Sequence, residues 1–177
     1  TGLPGNRDWA RFDRTIAAAK AAGYYLIPTL GNQWGECGHK GPTAPYKSID
    51  WYRTGYTQLQ PEDSVYGAGY LPYRDWVAQV VDRYKDEPAI LAWQLLNEAE
   101  TNADQPGGCP AGPEAYDAMA PWASDVSSLI KSIDPNHLVS LGTIGTGQCG
   151  TSGGQYKDLH AIPTIDLCEV HDYDPWT

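Results

Sequence analysis

Hydrophobic residues along the chain follow two patterns that alternate from one end to the other. Four segments carry apolar residues every three or four positions, the spacing of an amphipathic helix, and they cover residues 8–22, 72–86, 114–133 and, more weakly, 155–161. Four short apolar runs have the composition of buried strands, and they cover residues 24–30, 90–96, 138–144 and 165–171. This alternation predicts an α/β fold built from βα units around a parallel sheet.

Polar residues stand at the ends of three of these predicted strands. They are Asn32, Gln33 and Trp34 after the first strand, Asn97 and Glu98 after the second, and His171 and Tyr173 at the end of the fourth. The carboxyl ends of parallel strands meet on one face, which in (β/α)8 barrels is the face that carries the active site. The placement of these residues therefore favours part of a barrel over a small open sheet, although a complete barrel needs about 250 residues.

Glu98 is the member of this set best suited to acid–base chemistry. Glu98 follows the apolar run 90–96, so it is expected to lie at the edge of an apolar surface. Partial burial there is expected to raise the pKa of its carboxyl group. A glutamic acid with a raised pKa can hold a proton and donate it to a leaving oxygen. Asn97 beside it offers a donor and an acceptor to a sugar hydroxyl. A lone glutamate at a strand end is more often a solvated residue that caps the next segment. The sequence that flanks Glu98 favours the acid–base role instead.

The flanking string DEPAILAWQLLNEAE, residues 86–100, resembles the acid/base strand of the clan A glycoside hydrolases. The similarity is closest to family 5 and its endo-β-1,4-mannanase branch. Five further segments resemble that family in the same order, and they cover residues 12–34, 48–56, the predicted helix at 72–86, 132–142 and 165–176. The resemblance implies a partial (β/α)8 TIM barrel, with residues 1–177 forming a single partial catalytic domain from about the second helix to the sixth strand.

The resemblance also implies roles for the residues at the strand ends. Glu98 corresponds to the catalytic acid/base, and Asn97 to the residue that binds the sugar 2-hydroxyl. His171 and Tyr173 correspond to a pair that positions the nucleophile and contacts the reacting sugar. Both lie on one side of a strand because its side chains alternate with a period of two. The alternative for this pair is a buried histidine and a core tyrosine.

The segment that follows the first predicted strand is implied to bind substrate. Asn32 and Trp34 match an Asn and a Trp of the family, with Trp34 as a stacking platform for sugar. The alternative for Trp34 is a loop aromatic packed onto the core. The long segment 31–71 is rich in Trp and Tyr, whose rings suit sugar faces, and it is expected to supply further stacking subsites along the open cleft of an endo-acting enzyme.

Two departures from the family pattern bear on activity. Ala99 stands where the family usually has proline, which loosens the turn and removes no reactive group. A retaining glycosidase also needs a second carboxylate about 5–5.5 Å from the first, and the family carries it on the seventh strand, beyond Thr177. Glu169 lies on the same side of its strand as His171 but deeper, so it is a poor substitute. The expectation is a retaining glycoside hydrolase whose nucleophile lies outside these residues, with this stretch alone inactive.

Composition narrows the partners of the protein. The net charge of −10 and the pI near 4.6 disfavour nucleic acid and anionic membranes, which attract clustered Lys and Arg. No apolar run approaches the roughly 18 residues that span a bilayer. The expected partner is a β-1,4-linked polysaccharide, a mannan or a glucan, and neither a cofactor nor a metal is expected. The full-length protein is expected to be a monomer.

The cysteines predict a disulfide and a secreted, extracellular protein. Their number is even and they lack the CxxC spacing of zinc sites. Cys37, Cys109 and Cys149 all fall in loops on the expected catalytic face, where a bridge between any two of them would pin those loops. Cys168 lies within a strand and is expected to be a free thiol buried against a helix.

Two other functions are compatible with the sequence. A degenerate barrel that keeps its aromatic residues and lacks the nucleophile would be a non-catalytic carbohydrate-binding protein. A small complete α/β domain of four strands would have an unrelated role. It would unfold cooperatively as a monomer, whereas half a barrel exposes unpaired strand edges that promote aggregation.

Overall fold

The computed structural model describes residues 8–34, 47–59, 71–101, 109 and 113–173. The helices in this part of the chain are α1 (Ala10–Ala22), α2 (Ile49–Arg53), α3 (Tyr73–Tyr84), α4 (Glu114–Ile133) and α5 (Gly154–His160), and the strands are β1 (Ala92–Gln94) and β2 (Leu138–Ser140). The four predicted helices are confirmed, and α2 is an additional one. Among the described residues, no helix has both the length and the apolar character needed to cross a membrane.

Four parallel segments lie side by side in chain order. β1 pairs with β2, and residues 24–32 flank β1 through bridges from Leu26 to Ile90, Thr29 to Gln94 and Asn32 to Asn97. Residues 165–171 flank β2 through one bridge from Ser140 to Leu167. The two outer segments are thus bridged extended chain rather than full strands. In residues 24–32 Pro28 accepts from the Gln94 backbone N–H at 3.0 Å but has no N–H to donate in return.

The hydrophobic core lies between this sheet and the helices α2, α3 and α4. Its largest fully buried side chains include Trp93, Trp122, Tyr52, Leu95, Leu96 and Met119. Tyr52 meets Trp122 edge-on with ring centroids 4.9 Å apart, so α2 is anchored to α4 by aromatic packing.

The burial of α2 corrects the expectation for residues 31–71. Trp51, Tyr52 and Tyr56 are buried in the core, in α2 and in the 3-10 turn Gly55–Thr57. These three rings are therefore structural and are not stacking surfaces for sugar. Tyr46, Tyr66 and Tyr70 lie outside the described residues.

Asp134 ties the end of α4 to the strand beneath it. Its side chain is buried and accepts from the Trp93 indole N–H at 2.8 Å and from the backbone N–H groups of Asn136 and His137, both at 3.1 Å. Its Oδ2 also lies 2.6 Å from His137 Nδ1. Burial alone would raise the pKa of Asp134, but the hydrogen bonds from Trp93 and His137 outweigh burial and hold the pKa below its usual value.

We expect Asp134→Asn to lower the free energy of unfolding by about 1.5–3 kcal/mol at pH 7, because the bonds to a charged acceptor are weakened. A lowered folded pKa stabilises the protein above the ordinary aspartate value of about 4. That contribution is lost as pH falls through the folded pKa, so the difference between wild type and variant should shrink below about pH 4. Urea unfolding of wild type and variant between pH 7 and pH 3 measures this difference in the free energy of unfolding.

The matched control for Asp134 is Asp82→Asn. Asp82 pairs with Lys85 at 2.8 Å, and its side chain is 68% exposed. Such a surface pair contributes at most about 1 kcal/mol. An Asp134 variant that loses no more stability than the Asp82 variant, or whose deficit is the same at pH 3, would contradict the buried network.

Candidate active site

Glu98 lies four residues beyond the carboxyl end of β1, directly after the bridge between Asn32 and Asn97. The side chain is buried, with 6% of the residue's surface exposed. The backbone at Glu98 has a φ of 54°, in the left-handed region that residues with a side chain rarely adopt. A buried carboxylate on a strained turn needs strong local contacts, and the surrounding segments supply them.

Three side chains from the two outer segments converge on the Glu98 carboxylate. The Trp34 indole N–H donates to Oε2, and the Tyr173 hydroxyl donates to Oε1. His171 Nδ1 lies 2.9 Å from the same Oε1. Trp34 and His171 are half-buried, whereas Tyr173 is 71% exposed and lies at the mouth of the site. The structure thus brings together four of the six residues expected at the site.

The pKa of Glu98 differs from the expectation. Burial does act to raise it, but the hydrogen bonds from Tyr173, His171 and Trp34 together outweigh burial and place the pKa below the ordinary glutamate value. The expected raised pKa was therefore wrong for this environment. The apolar strand before Glu98 indicated burial correctly and gave no information on the donors, which lie 64 to 75 residues away in sequence.

Asn97 and Asn32 form the adjoining part of the site. The Asn97 side-chain amide donates to Asn32 Oδ1 at 2.9 Å, and the Asn32 amide donates to the Trp34 carbonyl at 3.0 Å. Both asparagines are half-buried. This pair joins the ends of two neighbouring parallel segments and shapes the turn that carries Trp34. The catalytic and substrate-binding roles of all six residues stay predictions.

Two residues to which sequence reasoning gave no supporting role form a buried support behind the site. Gln33 is 1% exposed, accepts from the Tyr52 hydroxyl at 2.7 Å and donates to the Lys47 carbonyl at 3.0 Å. The Tyr52 oxygen in turn accepts from the Glu100 backbone N–H at 3.0 Å. Gln33 and Tyr52 therefore connect the turn of Trp34 to the segment after Glu98. The sequence placed Gln33 at a strand end and Tyr52 in an aromatic segment, and neither position indicated the hydrogen bond between them.

Glu169 belongs to a polar row across the sheet. Its Oε2 accepts from Gln94 Nε2 at 2.9 Å, and its Oε1 accepts from the Ser140 hydroxyl. Thr29 donates to the Gln94 side-chain oxygen at 2.5 Å, which extends the row to the first segment. Both Glu169 oxygens are thus occupied by structural donors. This arrangement agrees with the expectation that Glu169 is a poor nucleophile.

The cysteines fulfil one expectation and contradict another. Cys109 and Cys149 form a disulfide, one of the pairings that the sequence left open, and Cys37 lies outside the described residues. Cys168 is a free thiol as expected, but it is exposed, so the expected burial was wrong. It contacts Tyr156 of α5, and this seven-residue helix is too short to cover the thiol.

One cluster in the described part of the chain has the residue types of a metal site. Glu100, Cys109 and Cys149 offer ligand atoms within 4.8 Å of one another. Both sulfurs are joined in the disulfide and cannot be the thiolates that bind metal ions. This cluster does not fit a metal ion in the oxidised protein.

We expect Tyr173→Phe to raise the pKa of Glu98. The hydroxyl of Tyr173 is the strongest of the three donors that lower this pKa, and phenylalanine keeps the ring without the donor. NMR titration of ¹³C-labelled glutamate side chains measures the shift. Tyr156→Phe is the matched control, because its hydroxyl donates to the Glu169 carbonyl at 2.8 Å, away from Glu98. An unchanged Glu98 titration in the Tyr173 variant would contradict the contact.

The parallel order of βα units and the buried glutamate at the strand ends define part of a (β/α)8 barrel with a candidate active site on its carboxyl face. A family model described as glycoside hydrolase family 5, β-mannosidase-like, matches residues 73–176, more than half of the chain. The chain belongs to this family.

Proteins with mannanase names match almost the whole chain. A probable mannan endo-1,4-beta-mannosidase C from Aspergillus terreus is 31% identical in an alignment 181 positions long, which covers 96% of this chain and 42% of that protein. A probable mannan endo-1,4-beta-mannosidase F from Aspergillus flavus is 36% identical in an alignment 173 positions long, which covers 92% of this chain and 33% of that protein. The chain therefore spans between a third and a half of the length of these relatives.

Solved structures agree with the fold. The endo-beta-1,4-mannanase from Thermotoga petrophila superposes with a TM-score of 0.61 at 26% identity, over 93% of this chain and 38% of that one. The endo-1,4-beta-mannanase from Rhizomucor miehei gives a TM-score of 0.59 at 23% identity, over 92% of this chain and 48% of that one. The fold is a partial (β/α)8 barrel, as the sequence predicts.

Proposed function

We propose that the protein containing this chain is a retaining glycoside hydrolase that cleaves β-1,4-mannan internally, with Glu98 as its acid/base. The chain would form a single partial catalytic domain of that enzyme. The observation that carries the proposal is the Glu98 carboxylate itself, buried at the carboxyl end of a parallel strand and contacted by Trp34, His171 and Tyr173. Such convergence of polar side chains from separate strand ends is typical of barrel active sites.

The chemistry requires Glu98 to carry a proton when substrate is bound. In a retaining enzyme the acid protonates the glycosidic oxygen while a second carboxylate, about 5–5.5 Å away, attacks the anomeric carbon. Glu98 then removes a proton from water, which releases the sugar from the second carboxylate. A negative charge at that distance disfavours ionisation of Glu98, so it opposes the three hydrogen bonds and raises the pKa toward the working range.

The substrate assignment comes from the named relatives and from the polar residues beside Glu98. Both Aspergillus relatives are named for action on mannan. Asn97 would bind the 2-hydroxyl of the sugar, the group whose orientation separates mannose from glucose. Asn32 and Trp34 would line the same subsite, with His171 and Tyr173 on the opposite side. Neither a cofactor nor a metal takes part in these steps.

A secreted location is part of the proposal. The Cys109–Cys149 disulfide supports it, because such bridges form and persist mainly in oxidising compartments. A polymeric substrate that cannot enter cells requires the same location. We further propose that the full-length protein acts as a monomer.

The test is to incubate the full-length protein with β-1,4-mannan and with cellulose and to measure released reducing ends. Faster release from mannan is expected, and ¹H NMR of the first products should show the β anomer, because two displacements retain configuration. Initial release of the α anomer would exclude retention. Binding to mannan with no release from either polymer would favour the non-catalytic carbohydrate-binding alternative.

A further inference from the structure

The peptide group that joins Glu98 to Ala99 is held at both of its polar atoms. Gln148 Nε2 donates to the Glu98 carbonyl at 3.3 Å, and the Ala99 N–H donates to the Gly142 carbonyl at 3.2 Å. The other end of the Gln148 side chain accepts from the Ile144 N–H at 2.9 Å. Gln148 is 6% exposed, so its amide is committed to these two backbone groups.

This peptide group determines where the Glu98 carboxyl lies. Among the described residues Glu98 is the only non-glycine with a positive φ, a backbone conformation that is unfavourable for an L-residue. A backbone in this region persists only when its surroundings hold it. A return of Glu98 to an ordinary negative φ would rotate its carbonyl carbon and its Cβ together about the N–Cα bond. It would therefore break the hydrogen bonds of the 98–99 peptide and move the carboxylate away from Trp34 and His171.

The loop that carries Gln148 is itself anchored next to Glu98. The Cys149 N–H donates to Glu100 Oε1 at 3.3 Å, and the Cys149 carbonyl accepts from the Thr101 N–H at 3.0 Å. The disulfide to Cys109 adds a covalent attachment. The loop that carries Gln148 is therefore attached to the segment directly after the Glu98 carbonyl, the group to which the Gln148 amide donates its hydrogen bond.

We propose that Gln148 is a positioning residue for Glu98, which acts by holding the Glu98 carbonyl group in place and with it the positive φ of that residue. The inference rests on the proposed acid/base role of Glu98. The Ala99 N–H completes this arrangement, and a proline at position 99 could not donate that hydrogen bond. Gln148 contacts only the backbone of Glu98, so its effect reaches the reaction through the position of the carboxyl group.

The test is Gln148→Glu in the full-length protein. A carboxylate of the same shape still accepts from the Ile144 N–H but has no proton to donate to the Glu98 carbonyl. We expect kcat on mannan at neutral pH to fall by about 10–100-fold with little change in KM, since a displacement of about 1 Å can cost 10²-fold. Lowering the pH protonates the introduced carboxyl group and restores the donor, so the ratio of variant to wild-type kcat should rise. Gln148→Leu, which lacks both bonds, should show no such recovery.

The matched control is Gln155→Glu. Gln155 is a half-buried residue after the same loop, and its side-chain oxygen accepts from the Ser152 N–H at 3.2 Å without contact to Glu98. Equal kcat in the Gln148→Glu and Gln155→Glu variants would overturn the proposal. So would a Gln148→Glu deficit that acid leaves unchanged, which would indicate general loss of structure. If Glu98→Gln is inactive while Gln148→Glu is fully active, only the positioning role fails. If Glu98→Gln is fully active, the proposed function fails and the positioning role fails with it.

Discussion

Glu98→Gln is expected to lower kcat on β-1,4-mannan by about 10²–10⁴-fold, the usual contribution of general acid–base catalysis. Glutamine has nearly the same shape, and its single side-chain oxygen can still accept from the Tyr173 hydroxyl in the place of Oε1. Its NH2 group, in the place of Oε2, cannot accept from Trp34, so the site should keep its shape and lose that one hydrogen bond. Glutamine can neither donate an acidic proton to the glycosidic oxygen nor accept one from water. Reducing-end assays on the full-length protein measure kcat, and calorimetric titration with mannan oligosaccharides is expected to show retained binding.

The nature of the leaving group separates loss of acid catalysis from general damage. An aryl mannoside with an acidic phenol needs little protonation, so the glycosylation step of Glu98→Gln should be far less impaired on it than on mannan. Glu114→Gln is the control, because Glu114 is an exposed residue in the first turn of α4. A Glu98 variant as active as the Glu114 variant on mannan, or equally impaired on both substrates, would contradict the acid role.

The order and direction of the elements could be predicted from the sequence, because periodicity reports burial. Trp93 and the run around it are apolar because both faces of β1 are covered, and α4 carries its apolar stripe because it packs on α2 and α3 in the same core. The polar residues after each run then had to meet on one face. Because the strands are parallel, their polar ends lie on one face, and this arrangement alone predicts that Trp34, Glu98 and His171 lie close together.

The chemistry of the site could not be predicted in the same way. Whether the Glu98 pKa rises or falls depends on how many donors reach its oxygens, and those donors are separated from it by 64 or more residues. Gln33 and Gln148 are polar residues buried in loops, where no periodic pattern marks them. Their importance follows only from the backbone groups that they satisfy, which are tertiary contacts.

Gly142→Ala is expected to lower the free energy of unfolding by at least about 4 kcal/mol, a loss seen only where a specific clash or buried defect arises. Gly142 has a φ of 88°, and a Cβ built there would lie 1.9 Å from the Leu96 carbonyl oxygen and 2.9 Å from Gln94 Cγ. The first of these atoms is backbone next to β1, so the sheet itself would have to move. Urea unfolding of the full-length protein at pH 7 measures the loss.

Gly23→Ala provides the control, because it isolates the cost of the backbone conformation from the cost of the clash. Gly23 ends α1 with a φ of 74°, and a Cβ there would meet no atom within 4 Å. Only the left-handed conformation is then penalised, at about 1–2 kcal/mol. Similar losses in the two variants would show that the sheet can yield at Gly142. Because the Gly142 carbonyl accepts from the Ala99 N–H, any Gly142→Ala protein that does fold should also lose activity, whereas Gly23→Ala should keep it. The stability of the protein and the position of Glu98 thus both depend on the close approach of the segments that follow β1 and β2.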